Sequence, residues 1–221
     1  MLEVTSVEIF HADFPIHLLK QITGGLLDAY RAAHACTLAA YNRDQTRDNT
    51  APWIRRGKVE EMLHETATSF GAPVSVNTVK VGFWNHEEIK VGRVLLTQSR
   101  TAEDDSVIRP ANWKNVLARK SERLLFPEFS REPLAPGEDC ILYATLLHGR
   151  SKPNPKLLEF AAVRFPKTNV NGDITGYHDG CIDLMDMFHQ LFVSPEPLSQ
   201  DVEDTAFPTL RQDLDYRMDA S

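Results

Sequence analysis

Two apolar runs, Ile141 to Leu147 and Leu157 to Phe165, constrain this chain more than any other feature. Each has the length of a strand, and their near-continuous hydrophobicity predicts a central position in a sheet rather than an edge. Val74 to Phe83 and Ile89 to Thr97 instead alternate apolar with polar residues. That alternation predicts an antiparallel hairpin whose connection is Trp84-Asn85-His86-Glu87-Glu88.

Helical periodicity fills the remainder. Leu19, Ile22, Leu26, Tyr30, Ala33 and Thr37 recur at spacings of three and four after Asp13-Phe14-Pro15, which reads as a helix start. Gly24-Gly25 is the expected kink in that helix. The polar run Asn42 to Thr50 reads as a loop, and a second helix is expected from about Ile54 to Phe70, ended by Gly71. Leu2 to Phe10 reads as a strand. Pro110 opens a basic segment with Trp113, Val116, Leu117 and Leu124 at near-helical spacing, and a further amphipathic helix is expected at about Asp183 to Phe192.

This order predicts an α+β fold: an antiparallel or mixed sheet of about five strands with helices packed on one face. A doubly wound parallel sheet is disfavoured, because strands do not alternate regularly with helices and no glycine-rich phosphate turn follows an early strand. Residues 1–197 are expected to form a single domain. Pro127, Pro133, Pro136 and Gly137 mark 127–139 as a candidate internal linker, and 198–221 is expected to be an acidic, extended tail.

The hydrophobic fraction of 42% and charged fraction of 25% are ordinary for a globular protein. No window approaches the ~18 uninterrupted apolar residues of a membrane span. The opening Met1 to Glu8 is acidic where an export signal is basic, so a cytoplasmic chain with no membrane partner is expected. Cys36, Cys140 and Cys181 form no C-x-x-C pair, which predicts reduced thiols and no disulfide framework; Cys181, three residues from His178, is the best placed to react. Seven acids against two bases from Glu196 onward leave the rest of the chain nearly neutral, so any contact with nucleic acid must come from local basic patches.

Several catalytic signatures are missing, among them G-x-x-x-x-G-K-[ST], G-x-G-x-x-G, H-E-x-x-H and G-x-S-x-G. Asn169, Asn171 and Asp173 alternate as in a calcium loop but lack the glycine and distal glutamate, so a turn is expected. The densest run of titratable side chains lies near the carboxyl end, and His178, Asp179, Asp183, Asp186 and His189 are the candidate catalytic or metal-holding residues. The dyad His178-Asp179 resembles that of HD-type phosphohydrolases, but Gly176 and Gly180 bracket it and put it in a loop.

Glu88-Ile89-Lys90, on a strand after a helix and another strand, resembles the E-x-K of PD-(D/E)xK nucleases. In that chemistry carboxylates hold a divalent cation and the lysine steadies the attacking water or the phosphate. No Asp lies between Asp48 and Asp104, so Glu60, Glu61, Glu65 or Glu87 must complete such a site.

Arg150, Lys152 and Lys156, with no intervening acid and with Pro153 and Pro155 stiffening the loop, are the candidate phosphate contacts, joined by Arg119 and Lys120. Trp53, ahead of Arg55, Arg56 and Lys58, and Trp84 at the expected hairpin tip are candidate partner contacts. The leading expectation is therefore an interaction or regulatory protein that binds a macromolecule, chiefly a protein, with nucleic acid a second class, and that uses no cofactor. The alternative is a metal-dependent phosphoester hydrolase or nuclease working through the His178–His189 cluster, with a divalent metal.

Overall fold

The structure, a computed structural model, describes residues 5–81, 84–101, 107–109, 111–126, 141–150, 154 and 157–192, the side chain of Trp84 excepted. Lys152, Lys156, Cys140, the expected linker 127–139 and the expected tail 198–221 lie outside the described residues, as does the side chain of Trp84. The chain divides into two compact units, Met1–His189 and Gln190–Ser221.

The amino-terminal segment is a helix, not a strand. Thr5 accepts from Glu8 N–H while the Glu8 carboxylate accepts from Thr5 N–H, and this reciprocal cap starts α1 (Ser6–Asp13). Asp13 does not cap the next helix. It takes a bidentate pair from Arg93 at 2.8 Å and also accepts the Arg93 backbone N–H. The turn carrying Arg93 includes Gly92 at φ 55°, where a Cβ would stand 2.8 Å from an Asp13 oxygen, so glycine is required twice over.

The two long helices are α2 (Ile16–Ala40) and α3 (Asp44–Phe70). No break interrupts α2 at Gly24-Gly25; a Cβ on Gly25 would meet Met62 Cγ of α3 at 2.7 Å, so the glycine admits close helix contact. Helix α3 begins ten residues earlier than its apolar periodicity indicates and carries Pro52 internally.

The strands are β1 (Val74–Val81), β2 (Trp84–Val91), β3 (Val94–Arg100), β4 (Leu142–Arg150), β5 (Leu158–Arg164), β6 (Pro166–Thr168), β7 (Ile174–Tyr177) and β8 (Ile182–Asp183). Helix α4 (Asn112–Leu125) precedes β4. A mixed sheet runs β1-β2-β3-β4-β5-β8, parallel only between β3 and β4, and β6 pairs with β7 separately. The fold is α+β.

The expected hairpin is a three-stranded meander. Polar residues read as its tip, Trp84 to Glu88, instead form the first half of β2, paired to β1 from Val81↔Trp84 to Val74↔Val91. The apolar run in β4 is central because both its faces are covered. Tyr143 and Leu147 pack with Ile108 and Ala118, while His148 meets Tyr30 of α2. The helix expected at 183–192 is short: α5 (Leu184–Met187) and a 3₁₀ turn at His189–Leu191 follow β8.

Candidate active site

Strand β2 is bonded to β1 along its whole length but to β3 over only three residue pairs, Ile89↔Leu96, Lys90↔Leu95 and Val91↔Val94. Beyond them one carboxylate bridges the two strands. Glu60, projecting from α3, accepts the Glu87 backbone N–H from β2 at 3.0 Å and the Gln98 Nε2–H from β3 at 2.7 Å. Glu87 itself is 7% exposed; its carboxylate accepts the Thr78 hydroxyl and lies 3.1 Å from His64 Nδ1. Two adjacent acids removed from water are unfavourable unless compensated, so their surroundings are informative.

His86 supplies one compensating group. A guanidinium only donates, so Arg56 gives an N–H to His86 Nε2 at 2.9 Å. The neutral ring then carries its proton on Nδ1, which stands 3.4 Å from Glu60 Oε1. Lys114 of α4 is the second. Its ammonium donates to Ser99 Oγ at 2.7 Å, and burial together with Arg56 pushes its pKa down to about 8, with Glu60 pulling the other way.

Behind Gln98 runs a buried relay with one direction. Because the Gln98 amide donates to Glu60, its Oε1 accepts from His148 Nε2 at 2.9 Å. Burial and the nearby Arg100 and Arg55 hold the His148 pKa down to about 3, so the ring is neutral and its Nδ1 accepts the Tyr30 hydroxyl at 2.7 Å. Tyr30 and His148 are 0% and 1% exposed. Glu60 is thereby positioned from β2, from β3 and, through Gln98, from β4 and α2.

Alternation along β2 sends Glu88 and Lys90 to the face opposite Glu87, Glu88 lying beside Asn77 with its pKa raised by burial. The three-residue pattern that carried the nuclease resemblance therefore does not face Glu87. One strand on, Gln98 and Arg100 stand at the same i, i+2 spacing on one face of β3, with an amide and a guanidinium for the carboxylate and ammonium. Of the four acids that could complete such a site, Glu60 meets the backbone of Glu87, whereas Glu61 pairs with Lys58 at the exposed side of α3.

The carboxyl-side cluster does not converge. His178 Nε2 lies 3.2 Å from Glu122 of α4, and Asp183 caps α5 by accepting from Met185 and Asp186 N–H. Asp179, Asp186 and His189 are exposed. Arg119 holds the 169–173 turn through the carbonyls of Asn171 and Gly172, and the Asn169 side chain accepts two backbone N–H groups there, so the expected turn is present. Lys120 is half-buried and Arg150 is exposed at the end of β4. Trp53 is 53% exposed on α3.

Among the described residues no three His, Cys, Asp or Glu side chains are arranged to hold a metal ion on their own, and no helix is long and apolar enough to cross a membrane. Glu60 and Glu87 supply hard carboxylate oxygens, of which a cation such as Mg²⁺ commonly takes one or two, completing its shell with water and substrate phosphate; the Gln98 side-chain oxygen is already taken by His148. No protein-family description matches the chain, and neither a curated protein nor a solved structure resembles it significantly.

Proposed function

We propose that this chain is a metal-assisted phosphodiester hydrolase acting on nucleic acid, of the chemical kind the PD-(D/E)xK resemblance implies but with other residues. The observation that carries the reading is the bridging position of Glu60, which accepts the Glu87 backbone N–H from β2 and the Gln98 amide from β3 across the gap between the two strands. In this reading Glu60 and Glu87 would hold the cation, which would supply Lewis-acid polarisation of the phosphoryl group. Lys114, charged below about pH 8, neutralises a phosphate oxygen. Gln98, fixed by His148 and Tyr30, holds the Glu60 carboxylate in place between β2 and β3. The site also lies at the carboxyl ends of the parallel strands β3 and β4, the usual end for ligands in sheets with parallel strands.

The test is incubation of the purified chain with plasmid, single-stranded DNA and RNA, with Mg²⁺ or Mn²⁺ and with chelator. Metal-dependent cleavage lost in Glu60→Gln is expected. Absence of cleavage on all three substrates, with no Mn²⁺ binding by titration calorimetry, sinks the reading.

The expected role in binding a protein partner keeps one observation in its favour, the exposure of Trp53. Affinity purification with wild-type and Trp53→Ala chains side by side tests it. Identical sets of co-purifying proteins would remove it.

A further inference from the structure

Three arginines meet around the Tyr30–His148 pair. Arg55 of α3 lies over the Tyr30 ring with its guanidinium carbon 5.1 Å from the centroid, and it is 2% exposed. Arg100 is the β3 partner of His148 in the parallel ladder, and Arg150 ends β4 two residues beyond His148. Both of these are exposed. Their charges act on the same buried groups: Arg55, Arg100 and Arg150 all bear on Tyr30. Among the described residues neither Arg100 nor Arg150 is in an ion pair with an acid. The central imidazole adds no charge, so among the described residues these arginines lie over a neutral relay.

Cations held close together repel one another, and an anion bound across Arg100 and Arg150 relieves that repulsion. Guanidinium groups match phosphate oxygens in pairs. The patch lies at the carboxyl ends of β3 and β4, and Gln98, Arg100 and His148 tie it to the Glu60 site. A single phosphomonoester at Glu60 and Lys114 leaves Arg150 without a ligand group, whereas a chain of phosphates serves both.

We propose that Arg100 and Arg150, backed by Arg55, bind the phosphodiester backbone next to the bond being cleaved, so that the ligand is a polynucleotide laid across the carboxyl ends of β3 and β4. This rests on the hydrolase reading for its register but not for its binding. The cationic term carries little sequence information, so affinity is set by phosphate contacts and falls with salt.

The experiment is fluorescence anisotropy of a labelled DNA oligonucleotide, single-stranded and duplex, against the Glu60→Gln chain in chelator at several salt concentrations. Arg100→Ala and Arg150→Ala are added singly, and each is checked for an unchanged melting curve. Binding weakened by about tenfold in each variant, with the salt slope reduced by about one, is expected. Unchanged affinity and slope in both variants overturn the proposal. So does tighter binding to phosphoinositide-containing vesicles than to either oligonucleotide. Arginine-dependent binding by a wild-type chain that never cleaves upholds this inference and removes the hydrolase reading; cleavage that ignores both arginines does the reverse.

Discussion

The chain gathers polar side chains in two places, and they differ in what holds them. Between β2 and β3, Glu60, Glu87, Gln98, His148 and Lys114 come from α3, β2, β3, β4 and α4 and are largely removed from water. From His178 to His189 the titratable groups lie close together in sequence and are mostly exposed; Asp183 accepts from the backbone and His178 lies beside Glu122. Local density of acids and imidazoles is inexpensive for a wet surface. Burial of the same groups is not, and it persists only where a network satisfies every member.

The largest expected contrast follows from that. Glu60→Gln should lower metal-dependent cleavage by about 100-fold or more, since several kcal/mol of charge stabilisation at the phosphoryl group depend on the metal. Asp186→Asn and His189→Gln should leave it within about twofold. Comparable losses on the two sides would erase the distinction between the regions.

The neutral His148 makes the next difference, in stability against pH. Its pKa is about 3 in the folded chain against 6.5 for an unperturbed imidazole, so between those values the unfolded chain binds the extra proton. Stability is therefore complete above pH 6.5 and declines as pH falls, by about 1.4 kcal/mol per unit, or about 2 kcal/mol by about pH 5. His148→Gln should lack this component, so its chemical-denaturation midpoint should fall less than that of the parent over the same range. Parallel pH dependence in the two chains would mean the imidazole is charged or solvated in the native state.

How far these features could be read in advance depends on what each rests on. Strands β4 and β5 are legible because burial makes them apolar along their length. The strand expected at Leu2–Phe10 is helix from Ser6 onward because Thr5-x-x-Glu8 caps it, a signal overshadowed by the apolar residues that follow. Trp84 to Glu88 read as a hairpin tip because a strand usually keeps one apolar face; here His86 and Glu87 serve Glu60, and the local rule yields to the site. Glu60 and Glu87 were two of four acids left by elimination, and only the facing of α3 separates Glu60 from Glu61. Gln98 and His148 close their bond across fifty residues of chain, and nothing local marks either. What does mark them is position: each is a polar residue at the carboxyl end of an apolar run, where parallel strands open onto a ligand.

Lys114 sharpens the comparison from the chemistry side. With its pKa lowered to about 8, an ammonium that neutralises phosphate is lost as pH rises through that value, so cleavage should fall above about pH 8. A guanidinium keeps its charge there, so Lys114→Arg should move the alkaline limb well upward even if the rate at neutral pH drops. Activity that instead increases through pH 8 would make the neutral amine the working form and Lys114 a base.

The smallest effect belongs to the carboxyl-side segment and tests the claim that its acids serve the backbone. Asp183 accepts from both Met185 and Asp186 N–H, which is the work of a helix cap. Asp183→Ala should cost about 1 kcal/mol or less, with Asp183→Asn nearly neutral because an amide oxygen caps as well as a carboxylate. Neither should change cleavage. A carboxylate that bound a cation would behave in the opposite order: Asn would fail as Ala does, and the loss would appear in activity rather than in the melting curve. The order of Asn and Ala at this one position therefore separates a structural acid from a chemical one, without reference to the site at Glu60.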